Sequence, residues 1–194
     1  MTTQALSPQR PVVIVLAAGR GERFRAAGGQ TGKLEAMLAG RSVLAHVLDA
    51  VQRSGLDCHV VRPQHLAHTP GAGMGDSIAC GVAATPKAQG WLILPADLPL
   101  IQAATLVRVA QALRGHAVVV PFYQGQKGHP VGFAPMCREA LMGLRGDEGA
   151  RSVVAQQGFF RLDVQDPGCV LDVDTVDALA QARAVLAQGG FSGH

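Results

Sequence analysis

The chain has 194 residues, of which 48% are hydrophobic and 16% charged, and this composition is that of one globular domain rather than of a disordered segment. Its formal net charge of +3 comes from scattered basic residues, and one Trp and one Tyr are too few to stack nucleic-acid bases, so no nucleic-acid partner is expected. The longest apolar runs are of strand length, well short of the roughly 20 residues of a membrane helix, so no membrane partner is expected either.

Strand-like apolar runs alternate with helical patterns along the chain. Residues 1–10 are predicted to be a disordered leader, because they lack the apolar stretch of a signal peptide. A buried strand is predicted over 11–17. A helix is predicted over 42–55, since Ser42 is a suitable N-cap and Gly55 stands where a helix would end.

The rest of the chain repeats this alternation. Further strands are predicted over 58–62, 90–96, 116–122 and 130–135. Further helices are predicted over 75–84, 102–115 and 175–188, the last of them capped by Asp174 or Thr175. The pattern predicts an α/β sandwich with a mostly parallel sheet. We expect one domain over 11–188 and a loose tail over 189–194.

The cysteines are dispersed along the chain and form no CxxC pair. They are Cys58, Cys80, Cys137 and Cys169. This spacing favours reduced thiols in a cytoplasmic protein over a disulfide framework.

The loop after the first strand reads AAGRGERFRAAGGQTGK over residues 17–33 and is rich in glycine and arginine. A P-loop would need glycine six residues before Lys33 and Ser or Thr after it, but these positions are Ala27 and Leu34. The dinucleotide fingerprint G-x-G-x-x-G lacks its third glycine, because that position is Phe24. Neither of these phosphate-binding motifs therefore describes the loop.

What remains is the motif A-A-G-x-G-x-R. Small residues allow the backbone to approach a ligand, and successive N–H groups can form an anion-binding nest. Arg23 offers a fork-shaped donor for phosphate, and Lys33 offers a point charge for a triphosphate. A flexible glycine loop with solvated charges is the alternative that these residues leave open.

An acidic residue, Asp97, follows the third predicted strand in the sequence LILPADLPLI. Magnesium bound to a nucleotide usually takes one or two carboxylates, so Asp97 is a candidate metal ligand, and a helix N-cap is the alternative. Asp172 and Asp174 lie two residues apart along a predicted strand end. One of them could reach the same metal while the other caps the last helix.

Six segments occur in an order that resembles the MobA-like nucleotidyltransferases, over about residues 11–188. They are VLAAGRGERF with its following lysine, GMGDSIACGV, PADLPLI, GHPVGF, GDEGAR and LDVDTVDAL. Within that family the chain is most similar to the molybdenum cofactor cytidylyltransferases. The resemblance implies a three-layer α/β sandwich with a Rossmann-like, mostly parallel sheet of the nucleotide-diphospho-sugar transferase type.

The resemblance also implies a reaction, in which CMP passes from CTP to the phosphate of molybdopterin and pyrophosphate is released, with Mg²⁺ as cofactor. The alternatives are a guanylyltransferase that uses GTP, another small-phosphate nucleotidyltransferase, and a nucleotide-binding module without activity. The partners implied are the nucleotide, a pterin phosphate acceptor, and a molybdoenzyme or its chaperone.

The resemblance assigns roles to individual positions. The catalytic residues would be Arg23, Lys33 and Asp97, and the metal ligands Asp97 and Asp172. The nucleotide-binding residues would be Leu16, Ala17, Ala18, Gly19, Gly21, Gly73 and Ser77. The acceptor-binding residues would be Gly128, His129 and Arg151. The tetrapeptide LAAG favours CTP, because guanylyltransferases of this group tend to read LAGG. Arg23 and Lys33 lie further apart than in the family, so the position of Lys33 is an open question.

Overall fold

The computed structural model describes residues 10–19, 21–29 and 32–187, with the side chain of Arg23 excepted. Apart from Arg10, the expected leader over 1–10 lies outside the described residues, and so does the expected tail over 189–194. Among the described residues, no helix is both long enough and apolar enough to cross a membrane.

Strands and helices alternate through the described part of the chain. The strands are β1 (Val12–Leu16), β2 (Met37–Leu38), β3 (Arg41–Ser42), β4 (Cys58–Val61), β5 (Trp91–Pro95), β6 (Val118–Tyr123), β7 (Gln126–Lys127), β8 (Val131–Phe133) and β9 (Phe160–Asp163). The α-helices are α1 (Glu22–Ala26), α2 (Val43–Ser54), α3 (Met74–Ala84), α4 (Ala103–Ala112), α5 (Arg138–Met142), α6 (Arg151–Gln157) and α7 (Val176–Ala187).

The main sheet has the strand order β4-β1-β5-β8-β6-β7, and β9 pairs with β6. Strand β1 is parallel to both β4 and β5, and β9 is parallel to β6, whereas β8 is antiparallel to both of its neighbours. The chain leaves β1 for one neighbour, β4, and then returns past β1 to the other, β5. This reversal is the topological switch point at which open α/β sheets bind ligands.

Helices cover both faces of the sheet, because alternate residues of a strand point to opposite sides. Val13 and Val15 pack in one buried cluster with α2 and α4. Ile14, between them, packs in a second cluster with α3, α5 and α6. Both faces of β1 are therefore covered, which is why this strand reads as a continuous apolar run. The predicted α/β sandwich is confirmed.

Helix α2 begins and ends where its sequence predicts. The Ser42 hydroxyl accepts a hydrogen bond from the Ala45 N–H at 3.2 Å, which satisfies a donor in the first turn of the helix. Gly55 takes the left-handed conformation with φ of 67° and donates its N–H to the Gln52 carbonyl. A residue without a side chain adopts this conformation at little cost, so the helix ends there.

The expected strand around Asp172 and Asp174 is wrong, because residues 171–174 form no strand. The segment instead crosses the end of β5, where the Val173 N–H donates to the Asp97 carbonyl at 2.9 Å. The Thr175 hydroxyl accepts from the Ala178 N–H at 3.1 Å and so caps α7. Asp174 is thus left for another partner.

Candidate active site

A cavity of about 540 Å³ opens beyond the carboxyl ends of β1 and β5, at the switch point of the sheet. The loop after β1, the start of α3 and the turn before α6 form its walls, and Lys33, Asp97 and Asp174 stand at one end. The residues predicted from the sequence that line it are Leu16, Ala18, Gly19, Gly21, Lys33, Gly73, Ser77 and Asp97. The topology thus brings together side chains from distant segments.

Lys33 joins two carboxylates within this cavity. Its Nζ lies 2.5 Å from Oδ2 of Asp97 and 2.6 Å from Oδ1 of Asp174. The Lys33 side chain is only 17% exposed, so water screens the two contacts weakly. Burial alone would lower the pKa of Lys33, but Asp97 and then Asp174 outweigh it and hold the pKa above the ordinary lysine value.

The long segment between Arg23 and Lys33 is anchored to the protein core by Phe24. Phe24 is 2% exposed and packs in a buried cluster with Leu38 and Val43. The Gly29 N–H donates to the Phe24 carbonyl at 3.0 Å, and a Cβ at Gly29 would lie 2.3 Å from the Phe24 ring. The extra length therefore leaves Lys33 inside the cavity.

Asp97 is the residue best placed to hold a metal ion. Its Oδ1 atom is buried and has no hydrogen-bond partner among the described residues, although Oδ2 contacts Lys33. Carboxylate oxygens are the ligands that Mg²⁺ prefers, and a nucleotide-bound Mg²⁺ takes most of its ligands from phosphates and water. Within the described part of the chain, no three His, Cys, Asp or Glu side chains are grouped to hold a metal alone. The residues thus fit a metal that arrives with a phosphate ligand.

At the opposite end of the cavity, the carboxylate of Asp76 joins two glycine-containing segments. Oδ2 of Asp76 accepts the N–H of Gly73 at 3.0 Å and the N–H of Gly146 at 2.7 Å. The Gly75 N–H donates to the Gly146 carbonyl at 2.8 Å. The start of α3 is thereby fastened to the turn before α6, and Asp147 of that turn lines the cavity.

Several predicted residues lie outside the cavity lining. Ala17 directs a buried side chain into the core, and Arg151 is exposed at the start of α6. Gly128 packs against Cys169, because a Cβ there would lie 2.6 Å from its sulfur. The side chain of Arg23, a further predicted residue, lies outside the described residues.

His129 and Asp172 stand close to the acidic end without lining the cavity. The Nδ1 atom of His129 is buried and has no partner within the described residues. Burial lowers the pKa of His129, although the negative charges of Asp97 and Asp172 oppose this. Burial raises the pKa of Asp172, and the charges of Asp174 and Asp97 raise it further. The role of Asp172 as a metal ligand stays a prediction.

Three acidic residues at or beside the cavity received no settled role from the sequence. The sequence leaves open whether Asp174 is a metal ligand beside Asp97 or the cap of the last helix, since its spacing from Asp172 gives no indication which of the two faces Asp97. Asp76 and Asp147 belong to two segments that were singled out, GMGDSIACGV and GDEGAR. Nothing in either sequence indicates that these two segments lie against each other. Their contact depends on the docking of α3 against the turn before α6.

The sequence of this chain is similar to sequences of known proteins. The chain is 30% identical over 173 residues to the bifunctional protein GlmU of Mycobacterium bovis, an alignment that covers 77% of this chain and 33% of GlmU. The chain therefore spans about a third of the length of that relative.

Solved structures share the fold at low sequence identity. The manganese complex of Rv0371c from Mycobacterium tuberculosis superposes with a TM-score of 0.66 at 24% identity, over 90% of this chain and 98% of that one. The molybdopterin-guanine dinucleotide biosynthesis protein A of Archaeoglobus fulgidus gives a TM-score of 0.64 at 16% identity, over 91% of this chain and 99% of that one. Residues 13–161 match the MobA-like NTP transferase domain, so the chain belongs to this family.

Proposed function

We propose that this protein is a magnesium-dependent nucleotidyltransferase that transfers CMP from CTP to the phosphate of molybdopterin and releases pyrophosphate. The observation that carries the proposal is the cavity at the switch point, in which Lys33, Asp97 and Asp174 meet opposite a glycine-lined wall. Membership of the MobA-like NTP transferase family supports an NTP as substrate. The fold shared with a molybdopterin-guanine dinucleotide biosynthesis protein supports a pterin acceptor.

The charge distribution sets the orientation of the nucleotide. The triphosphate lies at the end that holds Lys33 and Asp97, where Gly19 and Gly21 let the backbone approach it. Gly21 has φ of 61°, a left-handed conformation that favours glycine. The ribose and base then extend toward Gly73 and Ser77 at the start of α3. Arg23, which belongs to the same segment, would supply a second positive charge to the phosphates.

The chemistry needs no general base. The acceptor is a phosphate monoester, which is already largely ionised near neutral pH, and its oxygen attacks the α-phosphorus of CTP in line. A phosphorus–oxygen bond forms to the acceptor while the bond to pyrophosphate breaks. Lys33 exchanges its carboxylate contacts for the phosphates and stabilises the charge on the leaving group. Catalysis is thus a matter of position and charge.

Asp97 and a second carboxylate would hold the Mg²⁺, which when bound neutralises phosphate charge. Asp172 is the second ligand that the family resemblance implies. Asp174 is a further candidate, since it shares Lys33 with Asp97 in the structure. The fold of this chain is also that of the manganese complex of Rv0371c, which supports a divalent metal at this site.

The acceptor side of the proposal rests on Gly128, His129 and Arg151. His129 acts as a binding residue, because the reaction needs no base. Gly128 supports the site through its close packing on Cys169. The product would pass to a molybdoenzyme or its chaperone, and we expect this to occur in the cytoplasm.

The base preference rests on Ala18, which lines the cavity where guanylyltransferases of this group tend to have glycine. One methyl group discriminates between ligands by about 1–3 kcal/mol. GTP is therefore the second candidate, favoured by the similarity to the molybdopterin-guanine dinucleotide protein of Archaeoglobus fulgidus.

The test is pyrophosphate release with each of the four NTPs, with and without molybdopterin. We expect release with CTP and Mg²⁺ that requires molybdopterin. Equal rates with CTP and GTP would remove the base assignment, and release that ignores molybdopterin would remove the acceptor. A protein that binds nucleotide without releasing pyrophosphate would be the inactive module.

A further inference from the structure

We propose that Asp76 is a positioning residue that sets the affinity of the site for its nucleotide. It does so by holding together the two walls of the glycine-lined end of the cavity. The inference rests on the proposed function, because it takes an NTP as the ligand of this cavity. We call the contact of Asp76 with Gly73 and Gly146, together with the bond between Gly75 and Gly146, the clasp.

One oxygen carries the side-chain part of the clasp. Oδ2 of Asp76 accepts from the N–H of Gly73, the N-cap residue of α3, and from the N–H of Gly146, which lies 70 residues after Asp76 in the chain. The first bond would exist in an isolated helix, but the second joins α3 to the turn before α6. A carboxylate forms stronger bonds to N–H groups than a neutral acceptor does.

The environment keeps Asp76 ionised for this task. The pKa of Asp76 is held below its usual range by the Gly73 N–H first, and then by the Gly146 N–H and the positive charge of Arg145. An ordinary aspartate is already ionised near neutral pH, and the lowered pKa extends the ionised range of Asp76 to more acidic pH.

The glycines allow the two walls to approach this closely. A Cβ at Gly73 would lie 2.3 Å from the Gly146 carbonyl oxygen, and a Cβ at Gly75 would lie 2.7 Å from the Glu148 carbonyl oxygen. Any side chain at either position would push the turn away from α3. The carboxylate and the two glycines thus serve the same contact.

Each half of the clasp carries one cavity residue beside it. Met74 follows Gly73 on α3, and Asp147 follows Gly146 on the turn, and both line the cavity. The clasp therefore fixes the width of this end of the cavity. Lys33 and Asp97 lie on other segments, so a loosened clasp alters nucleotide binding without moving the charged groups.

The experiment compares wild type with Asp76→Ala and Asp76→Asn, with CTP and Mg²⁺ as the probe in calorimetric titration and in pyrophosphate release. We expect Asp76→Ala to raise the Kd and the KM for CTP about tenfold, with kcat within about twofold of wild type. Asp76→Asn should restore most of the affinity, because one amide oxygen can accept both N–H groups in place of Oδ2.

Ser42→Ala is the matched control. It removes the N-terminal cap of α2, which lies on the other face of the sheet. Like Asp76→Ala, it removes a side-chain acceptor for a backbone N–H at the start of a helix and so lowers stability. Its Kd and KM for CTP should stay at the wild-type values. An increase of the same size in this control would show that general destabilisation, and not the clasp, explains the loss of affinity.

An unchanged KM in Asp76→Ala, or a fall in kcat at constant KM, would overturn the inference. So would an Asp76→Asn variant no better than Asp76→Ala. Should Asp76→Ala fail to fold, Asp76→Glu replaces it, since the longer side chain displaces the turn and should also raise the KM. A wild type that neither binds nor turns over any NTP would instead refute the proposed function, and the inference with it.

Discussion

Different kinds of contact hold the residues in place at the two ends of the cavity. At the charged end, Lys33 bridges Asp97 and Asp174, which lie 64 and 141 residues away along the chain. At the other end, backbone N–H groups and close glycine contacts hold the two walls together, and the Asp76 carboxylate accepts two of these N–H groups. Ionic contacts between flexible side chains can be exchanged for contacts to a ligand, whereas backbone contacts define shape. The first end is suited to chemistry and the second to recognition.

Asp97→Asn should have the largest effect on activity, because Asp97 lies at the charged end of the cavity. The substitution removes a charge from the reacting end, and we expect kcat to fall on the order of 10³-fold with the fold retained. Pyrophosphate release with CTP and Mg²⁺ measures it. Asp49→Asn, a change to a surface ion pair on α2, should leave the rate unaltered. Normal release by Asp97→Asn would refute the metal assignment.

A second prediction separates the two remaining acids. Asp174 contacts Lys33 directly and lines the cavity. Asp172 does not line it, although the charges of Asp174 and Asp97 help to raise its pKa. We therefore expect Asp174→Asn to lower kcat by about 10²-fold and Asp172→Asn to lower it much less. Steady-state rates of the two variants at saturating CTP decide the matter. The opposite ranking would make Asp172 the second metal ligand.

A third prediction concerns Lys33, whose ammonium lies between the two carboxylates. Lys33→Met removes this internal cation, so a divalent metal meets less competition for Asp97 and Asp174. Without nucleotide, the Kd for Mn²⁺ should fall about tenfold, which corresponds to ~1.4 kcal/mol. Spin resonance of free Mn²⁺ provides the measurement, and the exposed Lys87→Met is the control. Equal Mn²⁺ affinity in wild type and Lys33→Met would contradict the expected competition.

The smallest expected effect concerns Asp76 at the glycine-lined end, and it is a pH dependence of stability. Because the folded protein lowers the pKa of Asp76, its carboxylate adds stability above the ordinary carboxyl pKa of about 3.9, and this is lost as the pH falls through the lowered value. The urea midpoint of wild type should therefore exceed that of Asp76→Asn by a constant amount between pH 6 and pH 5. The difference should shrink below pH 4, and a difference that grows there would contradict the assignment.

Local signals in the sequence were sufficient for the elements around β1. The helix over Val43–Ser54 followed from one capping hydroxyl, one terminal glycine and its apolar periodicity. Its neighbours β1 and β5 followed from apolar runs that match burial on both faces. These features depend on residues close together in the chain, so a single sequence contains them.

Features that depend on distant partners were not predictable in this way. Strand β9, with the sequence FRLD, is mostly exposed and has no apolar run, and it forms because β6 offers a parallel edge. The antiparallel insertion of β8 between β5 and β6 likewise cannot be read from a strand pattern alone. Short helix α1 was also missed, since five residues are too few for a helical period.

The same distinction between local signals and distant partners applies to the residues of the candidate site. Lys33 and Asp97 were singled out by position and charge, and the structure brings them together. That Phe24 would anchor the long loop and leave Lys33 in reach required knowledge of the core in which Phe24 packs. The choice of Asp174 as the partner of Lys33 depended on the path of residues 171–174, which cross the end of β5 instead of forming a strand.

The bridge formed by Lys33 has a further consequence for the order of events on this protein. The Lys33 ammonium has three N–H donors, of which two contact Asp97 and Asp174, so a triphosphate that takes more than one donor displaces a carboxylate, and under the proposed function nucleotide and metal would be linked through this group. A nucleotide that draws Lys33 away would leave Asp97 and Asp174 to the metal, and a metal on these acids would leave Lys33 to the nucleotide. Thermodynamic reciprocity requires each ligand to raise the affinity for the other by the same factor. Under the proposed function, the ion pair would therefore make the nucleotide and the metal bind cooperatively.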